Sequence, residues 1–116
     1  MILNTLTPVK YPNWIGNRQI YVGTAYGPAS YNQTTGDVLS VSFTPFNIDA
    51  VLGLAVTTDG TYIGIPVPVA VGNAQGWTIF WYAFATSGGG TPAWAALGSG
   101  ASIATKQVQL TVVGGP

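Results

Sequence analysis

Hydrophobic and polar residues alternate along short runs of this chain, and Gly, Pro, Asn and Asp separate the runs. A period of two is the mark of a strand with one buried face. In residues 18–26, RQIYVGTAY, Ile20, Val22 and Thr24 share one face and Tyr21, Gly23 and Ala25 the other. In 37–44, DVLSVSFT, the pattern turns Leu39, Val41 and Phe43 inward and Val38, Ser40 and Ser42 outward. In 105–113, TKQVQLTVV, Val108, Leu110 and Val112 alternate with Gln107, Gln109 and Thr111. The runs 48–57 and 61–71 flank Asp59-Gly60, a dipeptide suited to the positive φ values of a tight turn, so they are expected to pair as a hairpin. Pro66 and Pro68 put both missing N–H groups on one side of the second strand, which predicts an edge there, at least locally.

The run 77–86, WTIFWYAFAT, is apolar on both faces: Trp77, Ile79, Trp81 and Ala83 alternate with Thr78, Phe80, Tyr82 and Phe84. Such a strand is either central with its second face covered, or it presents aromatics to another subunit. Asn73-Ala74-Gln75-Gly76 before it reads as a turn, SGGGTP after it as a flexible loop, and 93–104 shows no period. Helical periodicity is missing throughout. Six strands with short turns predict an all-β domain, an antiparallel β-sandwich or jelly-roll-like barrel, over residues 17–116. Residues 1–16 contain Pro8, Pro12, Asn4, Asn13 and Gly16, which break regular structure, yet Ile2, Leu3, Leu6, Tyr11, Trp14 and Ile15 are too apolar for a free tail. An extended N-terminal arm that docks on something reconciles the two.

Charge changes the picture most. Of 116 residues only 5% are charged, 47% are hydrophobic, and the net charge is zero. An average chain has about 25% charged residues. An isolated surface with so few charges has little to keep copies apart, so it is expected to be covered by protein. Three scattered cations, Lys10, Arg18 and Lys106, make no phosphate-binding patch, which excludes nucleic acid as a partner. No apolar stretch approaches the ~20 residues that cross a bilayer, and MILNTLTPVK lacks the basic and long apolar regions of a secretion signal. The absence of cysteine suits a chain made in a reducing cytoplasm.

Candidate chemistry is sparse. The chain has no His, Cys or Glu, so a catalytic triad, a thiol nucleophile and a Glu-based acid/base pair are all excluded and an enzyme is not expected. Asp37 and Asp59 sit beside Gly and read as turn-formers; no spacing of carboxylates matches a Ca²⁺ loop, and no metal or other cofactor is expected. Asp49 is placed to pair with Arg18 or with a partner chain. Asn32-Gln33-Thr34 matches a glycosylation acceptor, a pattern too common to count without a secretion signal. Aromatics are the one concentrated signal. They point to core, subunit interface or a sugar-stacking platform, the last exemplified by Trp94 with Tyr26. The interface candidates are Leu3, Leu6, Tyr11 and Trp14 in the arm and Trp77, Trp81, Tyr82 and Phe84 in the aromatic strand.

The segment Ala29-Ser30-Tyr31-Asn32-Gln33-Thr34-Thr35-Gly36-Asp37-Val38-Leu39 resembles small tailed-bacteriophage virion proteins, in which Ser-Tyr, a Thr-Gly turn and an acidic residue precede a strand. The similarity continues through Ile48-Asp49-Ala50-Val51, Asp59-Gly60-Thr61-Tyr62 and a last strand ending Val112-Val113-Gly114, roughly residues 18–114. One glycine follows Thr34-Thr35 where two are expected. The resemblance implies a non-enzymatic capsid decoration or cement protein, or a related head or tail accessory protein. It would sit on the capsid surface of the virion and bind the major capsid protein or other virion proteins. It would also form a homo-oligomer, with a trimer favoured by the symmetry of phage capsid sites. The alternative is a carbohydrate-binding or adhesin-type β-sandwich module.

Overall fold

The computed structural model describes residues 1–9, 14–15, 18–41, 46–71, 74–86 and 92–115. The described elements are strands: β1 (Ile2–Leu3), β2 (Thr5–Pro8), β3 (Trp14–Ile15), β4 (Arg18–Tyr26), β5 (Asp37–Val38), β6 (Ser40–Val41), β7 (Asn47–Thr57), β8 (Tyr62–Val71), β9 (Ala74–Thr86), β10 (Pro92–Ala96) and β11 (Gln107–Gly115). They form an all-β, almost wholly antiparallel body in the order β10-β9-β8-β7-β11-β4-β2, with β3 also on β4 and β5 also on β9. Two short links close the sheet on itself. Asp37 and Val38 pair with Ile79 and Thr78 of β9, and two residues later β6 pairs in parallel with β1. Beyond β1 the Asn4 N–H donates to the Thr24 carbonyl and β2 runs along β4. Hydrogen bonds therefore circle the core, and the molecule is a flattened barrel of 51 × 33 × 22 Å, within the sandwich-or-barrel architecture that the strand pattern predicts.

Alternation decides what fills it. Ala25 of β4, Ala55 of β7, Ile79 and Trp81 of β9, and Val108, Leu110 and Val112 of β11 point inward, joined by Leu3, Tyr31, Leu39 and Ile103. The faces expected to alternate on β4, β9 and β11 do so, with the Ala25 face, the Ile79–Trp81 face and the Val108–Leu110–Val112 face turned inward, and Leu39 is inward and Val38 outward as expected; Ser42 and Phe43 lie outside the described residues. Two loops close one end of the barrel by bonding to each other: Gly27 N–H to Lys106 O, Ile103 N–H to Pro28 O, Tyr31 N–H to Ala101 O and Gly100 N–H to Tyr31 O. The Tyr31 hydroxyl accepts the Trp81 N–H at 3.0 Å, which ties this end to β9.

The hairpin at Asp59-Gly60 forms as expected, with Gly60 at φ 75° and Val56 opposite Ile63. Pairing between β7 and β8 stops after Ala55↔Gly64, whereas β9 follows β8 from Tyr62 to Val71. Both prolines turn their N–H-less side toward β7, so the predicted local edge is present. On β7 the chain bulges at Gly53, φ 76°, where the register with β11 shifts between Gln109 and Thr111.

Of the arm expected over residues 1–16, residues 1–9 and 14–15 are described. Residues 1–8 are extended, but they lie on this chain's own body. Leu3 is fully buried, and β2 pairs with β4 from Thr5↔Thr24 to Pro8↔Tyr21. The Met1 α-ammonium ion-pairs with Asp37 and also donates to the Val38 carbonyl at 2.9 Å. Burial of Leu3 removes apolar surface worth on the order of 1.5–3 kcal/mol, and the nearest apolar surface is the barrel interior.

Candidate protein-interaction surface

The two faces of β9 have different fates. On its inward face Ile79 and Trp81 are buried and Trp77 is partly so, and Trp81 donates its indole N–H to Asp37 Oδ2 at 3.1 Å. Its outward residues align with those of its neighbours: Ile63 stands opposite Tyr82, Ile65 opposite Phe80 and Val67 opposite Thr78 on β8, and Trp94 opposite Phe84 on β10. Directly opposed residues share a face, so these side chains form one outer surface. At its far end Phe84 is 51% and Trp94 43% exposed, their rings edge to face at 5.2 Å and 64°. Ile65, Val67 and Val69 are exposed in a row along β8, and Val56 and Leu54 extend the surface onto β7. The Thr35 carbonyl accepts the Thr78 hydroxyl proton at 3.1 Å, so a turn caps the middle of β9; the Asn32 side chain organises that turn by accepting the N–H groups of Thr34 and Thr35.

The uncovered apolar area is on the order of 500 Å², taking ~150–250 Å² for a whole aromatic side chain. That lies at the upper end of the largest apolar patch on an ordinary monomer, roughly 300–600 Å², and is more than half of the ~800 Å² that each partner gives to a standard interface. No charged residue lies on β8, β9 or β10. The chain has no Asp, Glu, Lys or Arg between Asp59 and Lys106.

The charged residues are used elsewhere. Arg18 Nε meets Asp49 Oδ2 at 2.8 Å, the first of the two partners expected for Asp49. Asp59 behaves as the turn-former expected: its Oδ1 accepts the Thr57 hydroxyl at 2.9 Å, the Thr61 hydroxyl at 2.7 Å and the Thr61 N–H at 3.1 Å, while Lys106 Nζ reaches Oδ2 at 2.6 Å. Lys106 first, then Thr61 and Thr57, hold the Asp59 carboxyl well below the usual carboxylate range, and Asp59 in turn raises Lys106. Asp37 differs from its expected turn role. It opens β5, is buried, and binds the Met1 ammonium and the Trp81 indole; Asn32 and Gly36, φ 76°, make the turn instead.

Placement sorts the interface candidates. Leu3 and Trp81 are core residues with no surface to offer a partner, and Leu6 and Trp77 are partly buried against that core. They fill the barrel because their strands' alternation turns them inward. Trp14 lies in β3, with its backbone opposite Gln19, and Tyr11 lies outside the described residues. Tyr82 and Phe84 stand on the outer surface, Phe84 the more exposed. Sequence reasoning passed over Ile65, Val67, Val69, Leu54 and Val56; the β-branched 2-residue period of Ile63 to Val69 was the signal available. Of the SGGGTP loop only Pro92 is described, and it opens β10; Asn73 lies outside the described residues, whereas residues 74–76, expected in a turn, begin β9, held as strand by their pairing with Val71, Ala70 and Val69 of β8.

A small cleft of about 240 Å³ opens between the β6 and β9 ends, lined by Leu39, Val41, Phe46, Ile48 and Trp77. Among the described residues no group of three His, Cys, Asp or Glu side chains could hold a metal ion. Among the described residues no helix is long and apolar enough to cross a membrane. Comparison with protein-family models, with curated proteins and with solved structures finds no match.

Proposed function

We propose that this chain is a non-enzymatic structural protein of a virus particle, a capsid decoration, cement or accessory subunit that attaches to other protein chains through the outer face of β8, β9 and β10. The observation that carries the assembly half of this reading is that face, where Ile65, Val67, Val69, Phe84 and Trp94 are exposed on strands that carry no charged residue. Exposure of that much apolar surface favours burial against another chain at about 25 cal/mol per Å² before the costs of association. The virion half rests on the resemblance of residues 18–114 to phage virion proteins. Its partners are then the major capsid protein or other virion proteins. Peptide mass spectrometry of purified particles, with this chain quantified against the major capsid protein, tests it. A copy number in fixed proportion to the capsid protein supports the reading; absence from washed particles refutes it.

The carbohydrate-binding alternative draws on two exposed aromatics, Trp94 and Tyr26. The Trp94 ring meets Phe84 edge-on, which fits a protein contact as well as a stacking platform.

A further inference from the structure

The aromatic end of the barrel also carries an open backbone edge. β10 is the last strand in its sheet and, among the described strands, neighbours β9 alone. Ala93, Trp94, Ala95 and Ala96 are exposed, so both faces of this ribbon stand clear of the barrel. The direction of its hydrogen bonds can be read from neighbours: the Leu97 N–H reaches Trp81 O at 3.0 Å, and the Phe84 N–H points the other way, to Thr61 O. Alternation then turns the N–H and C=O of Ala93 and Ala95 toward β9 and those of Trp94 and Ala96 away from it. Those outward groups have no partner among the described residues. Natural edges are usually blunted by a lysine, an inward charge or a bulge. The edge Pro92–Ala96 has none of these, only Pro92 at its start.

We infer that β10 pairs with β10 of a second copy of this chain, antiparallel about a two-fold axis at Ala95, joining the two sheets into one. In this register Trp94 and Ala96 of one copy exchange N–H···O bonds with Ala96 and Trp94 of the other. Each indole then lies beside a methyl group rather than a second bulky ring. The edge is self-complementary in charge as well, because no ionised residue lies anywhere between Asp59 and Lys106 to repel a copy. Ala95 meets its symmetry mate as a non-hydrogen-bonded pair, where Cα atoms approach to about 4.5 Å. The inference deepens the assembly reading and rests on it, naming a second copy as one partner; it makes the oligomer two-fold, in place of the trimer expected from capsid symmetry.

The test uses the free full-length protein without particles, so its failure is separate from failure of the virion reading. Sedimentation velocity at micromolar concentration should show a dimer. Ala96→Pro removes only an outward N–H, leaves the β9 ladder intact, and should raise the dissociation constant at least about 30-fold, since the symmetric interface loses two hydrogen bonds. Ile65→Lys, on the outer face, should leave the dimer unchanged. Because the chain has no cysteine, Ala95→Cys should form an intermolecular disulfide on mild oxidation, its Cα separation being within disulfide range. A monomeric wild type, or a dimer that Ile65→Lys dissolves and Ala96→Pro does not, overturns the inference. So does an Ala95→Cys protein that stays uncrosslinked while dimeric.

Discussion

Replacing Leu3 with alanine tests whether the N-terminal segment belongs to the barrel. Leu3 is fully buried, and its Cδ2 lies 2.9 Å from where a Cβ on Gly23 would stand, so β4 is shaped to receive it. A buried Leu→Ala change costs about 2–5 kcal/mol, through lost transfer energy and the cavity left behind. A value near 3 kcal/mol would be a large share of the roughly 6–17 kcal/mol expected for a chain of this length. With a urea dependence of about 2 kcal/mol per M, the unfolding midpoint should fall by about 1.5 M. The control is Ile2→Ala, in the same two-residue strand but 54% exposed, which should move stability by less than about 0.5 kcal/mol. Fraying or altered pairing of β1 would affect both variants alike; only burial separates them. Urea titrations followed by fluorescence of the buried Trp81 provide the assay. Equal midpoints for the two variants would refute the placement of this segment in the core.

Gly64→Ala should destabilise by about 1–3 kcal/mol in the same titration, because its new methyl group would collide with the Ile79 Cγ2 and press on Ala55 and Trp81. Trp81→Phe removes the donor to the buried Asp37 carboxylate and should cost at least about 1.5 kcal/mol. Asp59 has a lowered carboxyl, so its contribution is present above the ordinary value near 3.8 and lost as pH falls through the lower folded value. The melting-temperature advantage of the wild type over Asp59→Asn should therefore hold steady from about pH 5 to 8 and shrink below about pH 4; an advantage that grows on acidification would contradict the assignment. Glycan arrays should give no signal for the wild type; a signal that Trp94→Ala abolishes would favour the carbohydrate-binding alternative.

The strands with a clean period of two were legible from the residues alone. β4 begins and ends at the positions that alternation marks, and β11 turns Val108, Leu110 and Val112 inward as its pattern requires. What escaped was held by contacts distant in sequence. β1 and β2 are too short and too broken by Asn4 and Pro8 to show a period, and their strand character comes from β6 and β4. β10, PAWAA, consists mostly of small residues without contrast between faces, so only β9 reveals it. Tyr31 and Ile103 entered the core from two loops that bond each other, an arrangement with no local signature. For the surface, the doubly apolar β9 was visible as an anomaly, but which of its faces stayed open depended on the barrel closing around Trp81 rather than around Tyr82.

The central claim is that the uncharged outer face of β8, β9 and β10 holds this chain to other proteins. Its most direct test is reattachment to virus particles depleted of the chain, scored by co-sedimentation, with the double variant Ile65→Asp, Phe84→Asp beside the wild type. Both sites are exposed, so folding should be retained and can be checked by the melting curve. The account predicts that the wild type pellets with the particles in saturable amounts and that the folded variant stays in the supernatant. Equal pelleting of the two proteins would contradict it.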